Sequence, residues 1–191
     1  MEGFQTEVKP DMRRILMDWL VQVHGRFNML PETLFLAVNY IDRFLASKVV
    51  SLGKLQLVGA TAILLAAKVE EVSAPNITEI VYMVDDTYGH DEVIKAERFM
   101  LGQLKWEMQF PGPMSFLRRI SKADDYDIEV RTMAKYFLEV MLMDYRFAAV
   151  PPSFAAAGAV CLSREILMKG KWVRTVIPYC LHAQVYPNIY I

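Results

Sequence analysis

One stretch of the chain, from about residue 53 to residue 71, is apolar on nearly every side. Apolar residues follow one another there in helical steps of three and four, and the remaining sides are also apolar. The first stripe consists of Leu55, Val58, Ala62, Leu65 and Val69. A helix that is apolar all round is stable only when other elements surround it. The stretch therefore predicts the central helix of a bundle.

The rest of the chain predicts the neighbours of this helix. Apolar residues recur at helical spacing almost throughout and strand-like alternation is scarce, so we expect an all-α fold. The first helix should begin near Pro10, where Asp11 is a candidate cap for free N–H groups. Further helices are expected near 31–47, 53–71, 77–84, 91–105, 114–121, 128–145 and 153–168.

The clearest break in the chain is Phe110-Pro111-Gly112-Pro113, because two prolines and a glycine do not continue a helix. It predicts a boundary between two domains, over 8–108 and 111–191. In both halves a long helix ends, a short break follows, and a nearly all-apolar helix begins. A shift of 97 positions superposes the two apolar helices with weak identity. A duplicated domain explains this pattern, and so does chance.

Composition narrows the class of partner. The chain has 21 Lys and Arg against 22 Asp and Glu, which leaves no general positive field for nucleic acid. The basic cluster of Arg118, Arg119 and Lys122 is followed at once by two aspartates.

The uncharged run from 55 to 67 is shorter than the ~20 residues of a membrane-spanning helix. With only Cys161 and Cys180, we expect a soluble intracellular protein with free thiols, bound to neither nucleic acid nor membrane.

Nothing in the sequence indicates an enzyme. It contains no glycine-rich phosphate loop, no HExxH and no paired Cys-x-x-Cys, so we expect no cofactor and no metal site. The pairs Asp85-Asp86 and His90-Asp91 are adjacent to a loop or a helix start, where solvated charge and capping are the ordinary roles.

Four charges interrupt apolar helix faces. Glu97 shares a face with three apolar residues, and Lys68 lies one turn after the core residues of the central helix. Arg13 precedes the apolar side of the first helix, and Asp42 follows that of the second. Isolated buried charges are unfavourable, so such groups are paired, solvated at the rim, or used to meet a partner. Periodicity alone does not say which charge pairs with which.

Four runs of residues resemble the first box of the cyclin family in order and approximate spacing. They are 12–21 (MRRILMDWLV), 36–45 (LAVNYIDRFL), 54–59 (KLQLVG) and 65–71 (LAAKVEE). Three more runs are similar to G2/mitotic B-type cyclins of fungal kind, at 82–88 (YMVDDTY), 97–101 (ERFML) and 114–123 (MSFLRRISKA).

The resemblance implies a tandem cyclin-box fold of two five-helix bundles. It also implies a non-catalytic nuclear or cytoplasmic subunit that activates a cyclin-dependent Ser/Thr kinase at the G2/M transition. After about residue 172 the sequence departs from the family pattern, so we expect a second box that is truncated or less stable. The chain starts almost at the first box, so the degradation signals of mitotic cyclins should lie outside it. The alternative is a tandem-box adaptor that binds nucleic acid or protein, as in transcription factors of cyclin fold.

The resemblance also assigns residues. Lys68 and Glu97 match the pair that binds the mobile C-helix of the kinase, with Val69 and Leu101 beside them, and Arg13 and Asp42 match a buried ion pair. The hydrophobic patch that docks Arg-x-Leu peptides of substrates and inhibitors corresponds to Met12, Ile15, Leu16, Trp19, Gln22, Leu55 and Gln56. Leu16 and Leu55 are equally well explained as ordinary core. Gln22 stands where the family often has Glu, which removes a charge that favours the arginine of the motif.

Overall fold

The computed structural model describes residues 5–170, which form eight α-helices, two short 3-10 turns and no strand. The all-α prediction is confirmed. The helices are α1 (Pro10–Arg26), α2 (Pro31–Ser47), α3 (Leu55–Glu70), α4 (Ile77–Met83), α5 (His90–Gln103), α6 (Pro113–Ala123), α7 (Ile128–Leu142) and α8 (Pro152–Ile166).

The chain separates into two compact units at the proline-rich break. In the described part, the first unit holds the residues up to Phe110 together with Leu142–Ala148. The second holds Pro111–Met141 and the residues from Ala149 onward. The divergence expected after residue 172 lies outside the described residues, and so does Cys180.

Helix α3 is the centre of the first unit. Every residue from Leu57 to Ala67 is buried, and α1, α2 and α5 pack around it. The segment Leu52–Glu70 is long and apolar enough to cross a membrane by composition, yet 67% of its apolar window is buried inside this unit. That burial is typical of a core helix, as the all-round apolar pattern predicts.

Several helix starts differ from the sequence expectation by one or two residues, as at α3, α5, α6 and α8. The N-cap residue of α1 is Lys9, and Asp11 lies within the first helical turn, so the prediction that Asp11 is the cap was wrong. Pro10 explains the difference, because proline fits the first helical position, which makes Lys9, two residues before Asp11, the cap. Helix α5 similarly starts at His90, after Gly89, rather than at Asp91.

The second unit is built on α6 and α8, which pack against each other. Ala155, Ala156 and Ala159 are buried on α8. Small side chains at these positions let another helix approach closely. Helix α7 ends at Leu142, three residues before the sequence expectation, and a 3-10 turn follows at Tyr145–Phe147.

Candidate functional site

Arg13 and Asp42 form an ion pair between α1 and α2, in which the arginine is buried and the aspartate side chain is 18% exposed. The Arg13 Nε donates to Asp42 Oδ1 at 2.7 Å and its Nη2 donates to Asp42 Oδ2 at 2.8 Å. Only 1% of Arg13 is exposed to solvent. The two parallel bonds match the planar guanidinium to the carboxylate, which is the strongest geometry for such a pair.

A third bond completes the coordination of Arg13. Its Nη1 donates to the backbone carbonyl of Leu142 at 2.9 Å. Leu142 belongs to the segment that packs with the first unit. The guanidinium therefore joins α1, α2 and this segment. Its polar atoms face protein groups on three sides, so it leaves little capacity for an outside partner.

Lys68 and Glu97 are also brought together, at the end of α3 and the middle of α5. The Lys68 Nζ donates to Glu97 Oε1. The two side chains differ in exposure, at 45% for Lys68 and 13% for Glu97. Glu97 lies on α5 beside the buried Val93 and Met100, as the sequence pattern predicts. The lysine of this pair is therefore accessible to solvent, whereas the glutamate is mostly buried. We call it the open ion pair.

Apolar side chains lie next to this pair in the chain. Val69 follows Lys68 and is exposed, and Leu101 lies one turn after Glu97 and is half-buried against the core. An exposed apolar side chain beside an open ion pair combines contact area with directed hydrogen bonding, as specific protein interfaces do.

The residues expected in the docking patch fall into three groups. Leu16 and Leu55 are buried in the core of the first unit. Met12, Trp19 and Gln56 are half-buried. Ile15 and Gln22 are exposed, Ile15 at 67%. The patch therefore presents a partly apolar surface over a floor that also belongs to the core.

Gly59 of α3 brings the two halves of this patch together. A Cβ added at Gly59 would lie 2.8 Å from Leu16 Cδ1 and 3.2 Å from Trp19 Cζ3. A larger residue at this position would push the Leu16 side chain aside or move α1 away from α3. One turn after Trp19 on α1, Gln22 Nε2 donates to Asp18 Oδ2 at 2.9 Å, so the amide is engaged within its own helix.

Two structural contacts were not anticipated from the sequence. The hydroxyl of the buried Tyr40 donates to the Met108 carbonyl at 2.5 Å, and burial raises the pKa of Tyr40 to about 12. The Glu71 carboxylate accepts from the Leu30 N–H at 2.7 Å and ties the end of α3 to the α1–α2 connection. Glu71 belongs to the run that resembles cyclins, which was the one available signal.

The acidic and histidine pairs occupy ordinary positions. Asp85 and Asp86 are exposed in a turn with positive φ, and His90 contacts the Thr78 hydroxyl at 3.2 Å. Among residues 5–170, no three His, Cys, Asp or Glu side chains converge as metal ligands would. Cys161 is exposed and makes no disulfide.

Comparison with protein families matches nearly the whole chain. The model described as "Cyclin, N-terminal domain" matches residues 1–109, and the one described as "Cyclin, C-terminal domain" matches residues 111–185.

Curated relatives agree with this result. The chain is 57% identical to G2/mitotic-specific cyclin-4 of Candida albicans, over 92% of this chain and 36% of the relative. It is 52% identical to G2/mitotic-specific cyclin cdc13 of Schizosaccharomyces pombe, again over 92% of this chain and 36% of the relative. The expected likeness to fungal G2/mitotic cyclins is confirmed. The chain spans only about a third of the length of these relatives.

A solved structure shows the same fold. A viral cyclin from Herpesvirus saimiri superposes with a TM-score of 0.81 at 24% identity, covering 93% of this chain and 78% of the viral chain. A chain of the CAK complex of Chaetomium thermophilum bound to ATP-gamma-S superposes with a TM-score of 0.53 at 13% identity, covering 94% of this chain and 64% of that chain. The tandem cyclin-box architecture expected from the sequence follows from these matches.

Proposed function

Because this chain belongs to the cyclin family, we propose that it is the cyclin-box region of a subunit that binds and activates a cyclin-dependent Ser/Thr kinase at the G2/M transition. Its relatives named above are G2/mitotic-specific cyclins, and the chain covers 36% of their length. The kinase partner, the substrates and a nuclear or cytoplasmic location are parts of this proposal.

The observation that carries the proposal is the open ion pair of Lys68 and Glu97. Lys68 is 45% exposed and pairs with a carboxylate that is mostly buried. The lysine has further N–H groups to donate to a partner, and the carboxylate has further lone pairs to accept with. Val69 and Leu101 supply apolar contact beside the pair. Such a surface suits a partner helix that offers hydrogen-bonding groups at one end and apolar side chains along one face.

The proposed mechanism is the positioning of the kinase C-helix. In active protein kinases a glutamate of this helix pairs with the lysine that positions ATP, and phosphoryl transfer requires that geometry. A preformed helical surface holds the C-helix inward at little cost in entropy. The subunit therefore supplies binding energy rather than catalytic groups, which makes it a non-catalytic activator.

We also propose that the docking patch binds Arg-x-Leu peptides of substrates and inhibitors. Ile15, Met12 and Trp19 expose apolar surface next to the buried Leu16 and Leu55. The leucine side chain of the motif can therefore make apolar contacts there. Gln22 is neutral and bonded to Asp18. The arginine of the motif should therefore bind less strongly than to a glutamate at this position.

The kinase proposal is tested by co-purification of this chain with a cyclin-dependent kinase and a phosphorylation assay. The double variant Lys68→Ala/Glu97→Ala should lose at least about tenfold in affinity, together with the activation. A matched control is Lys54→Ala/Glu92→Ala, which removes another exposed ion pair in the same unit. Equal loss in both double variants, or unchanged kinase binding in the first, would contradict the assignment.

One observation keeps the nucleic-acid adaptor as a second candidate. Asp124 pairs with Arg164 of α8, so it does not neutralise the basic side chains of α6. Arg119 and Lys122 are exposed there. A gel-shift assay with nonspecific DNA decides between the two functions, because binding through phosphates weakens steeply with salt. Strong, salt-sensitive binding would favour the adaptor.

A further inference from the structure

The first unit contains an open groove of about 450 Å³ between the end of α2, the start of α3 and one side of α5. We call it the α2–α5 groove. Its floor and walls are apolar, and Phe44, Val50, Val58 and Met100 are buried there. Phe99 stands at its edge, 52% exposed, with its ring edge-on to Phe44 at 5.9 Å. The size and lining are those of a binding cleft.

The rim of the groove carries a net positive charge. Lys48, Lys54, Lys95 and Glu92 all line it, and three lysines against one glutamate give a formal charge of +2. Lys54 pairs with Glu92. Within residues 5–170, neither Lys48 nor Lys95 has an ion-pair partner. These two exposed ammonium groups are therefore available to a ligand.

The walls of the groove are held in place before any ligand binds. Gln5 Nε2 donates to the Leu45 carbonyl at 2.6 Å, and Gln5 Oε1 accepts from the Val50 N–H at 3.0 Å. The Tyr88 hydroxyl donates to the Gly53 carbonyl at 2.7 Å. These long-range bonds fix the connection between α2 and α3. A preformed cleft orders little on binding, which favours affinity.

The groove is distinct from the surface proposed for the kinase. Glu97 and Phe99 are two residues apart on α5, which places them about 200° apart around the helix axis. The docking patch is on α1 and the first turn of α3, and none of its residues lines the groove. A ligand of the groove therefore contacts neither set of residues.

We propose that the α2–α5 groove binds a short segment of another protein in which one large apolar side chain, aromatic or leucine, is flanked by carboxylates. The apolar floor takes the large side chain, and Lys48 and Lys95 pair with the flanking carboxylates. Complementary charge of this kind selects partners and speeds association. The groove would thus be a third docking site on the cyclin box, for segments of opposite charge to the Arg-x-Leu type.

The probe for the test is a labelled peptide with one phenylalanine between pairs of glutamates, titrated into the full chain by fluorescence anisotropy. We expect saturable binding that weakens with added salt. Replacing the phenylalanine by alanine, or the glutamates by lysines, should each weaken binding by roughly tenfold or more. Absence of saturable binding, or equal binding of the lysine peptide, would overturn the proposal.

Variants of the chain locate the site. Lys95→Glu should weaken binding of the glutamate peptide by about five- to tenfold, since it reverses a rim charge. Lys105→Glu, an exposed lysine outside the groove, is the matched control and should leave binding unchanged. Phe99→Ala should also weaken binding, and circular dichroism checks that it folds. Equal effects of Lys95→Glu and Lys105→Glu would overturn the proposal.

Two further results would assign the groove to a different occupant. A chain that starts at Gln5 tests the first four residues as occupant, and peptide binding that appears only in this shortened chain would overturn the proposal. A dimer in sedimentation that Phe99→Ala dissociates would overturn it in favour of a second copy. Lys68→Ala/Glu97→Ala should retain full peptide affinity, so the groove and the kinase surface are tested independently.

Discussion

Two ion pairs of the first unit, Arg13–Asp42 and Lys68–Glu97, have similar chemistry and contrasting environments. Arg13 and Asp42 make two parallel bonds in the interior, and a backbone carbonyl takes a third. Lys68 and Glu97 make one bond at a surface where the lysine is 45% exposed. The sequence places all four charges on apolar faces alike. Burial and the number of partners separate a pair that holds helices together from one that is open to a partner.

The choice of cation follows the environment. Arginine has a planar group with several fixed donors and stays charged when buried, so it suits a site that is closed on three sides. Lysine has a flexible stem and rotatable donors, so it suits a surface where a partner takes up part of the bonding. We therefore expect substitutions to change stability strongly at the Arg13–Asp42 pair and weakly at the Lys68–Glu97 pair.

The largest effect on stability is expected when Arg13 is removed. Arg13→Ala leaves the Asp42 carboxylate, whose side chain is only 18% exposed, without its partner. We expect a loss of about 3 kcal/mol in the free energy of unfolding, at the lower end for a broken buried pair because water still reaches the carboxylate. Urea denaturation followed by circular dichroism measures it. The double variant Arg13→Met/Asp42→Leu should recover much of this loss, because an apolar pair fills the space without a buried charge. A loss under about 1 kcal/mol for Arg13→Ala would contradict a structural role.

A smaller loss of stability is expected when the hydroxyl of Tyr40, which is buried and uncharged, is removed. Tyr40→Phe leaves the Met108 carbonyl without its donor and should cost about 1 kcal/mol. The pKa of Tyr40 is raised by burial to about 12, above its ordinary value of 10.0. In alkaline solution the unfolded chain therefore ionises first, and this contribution to stability is lost as the pH rises from about 10 towards 12.

Denaturation curves at neutral pH and near pH 11 measure the Tyr40 effect. The stability difference between the native chain and Tyr40→Phe should shrink at the higher pH. An unchanged difference would indicate that Tyr40 titrates normally and that its hydroxyl is accessible to water.

The smallest stability effect is expected at the open pair. Lys68→Ala should change the free energy of unfolding by less than about 1 kcal/mol, because solvent screens a half-exposed pair. The same denaturation assay measures it beside Arg13→Ala. A loss as large as that of the arginine variant would erase the distinction between the two pairs and assign Lys68 to the core.

Sequence reasoning predicts the helices well, because apolar residues recur in them at helical spacing and several begin at or directly after a proline or a glycine. These are α1, α2, α5, α6 and α8. It is least accurate where two signals compete at a helix start. Pro10 and Asp11 both favour a helix N-terminus, and proline takes the first helical position, which places Asp11 inside the helix. The periodicity of apolar residues does not determine which residue caps a helix, because the cap depends on the individual residues at the helix start.

The contacts of the site were only partly predictable. The four charges stand out as breaks in apolar faces, yet the Leu142 carbonyl that completes Arg13 is 129 residues away in sequence. The α2–α5 groove was not predicted either, because its lining comes from three separated segments that each look like ordinary amphipathic helix. Only the packing of α2, α3 and α5 brings Phe44, Val58 and Phe99 together.

Gly59 lies beneath the docking patch, at the point where α1 packs on α3. The lack of a side chain there lets Leu16 and Trp19 of α1 pack close to α3, with Leu16 Cδ1 2.8 Å from the place a Cβ would take. Leu16 and Trp19 belong to one half of the docking patch, and Leu55 and Gln56 to the other. A larger residue at position 59 should therefore displace Leu16 and alter the shape of the docking patch, so the fit of a peptide proposed to bind there depends in part on a residue beneath the surface.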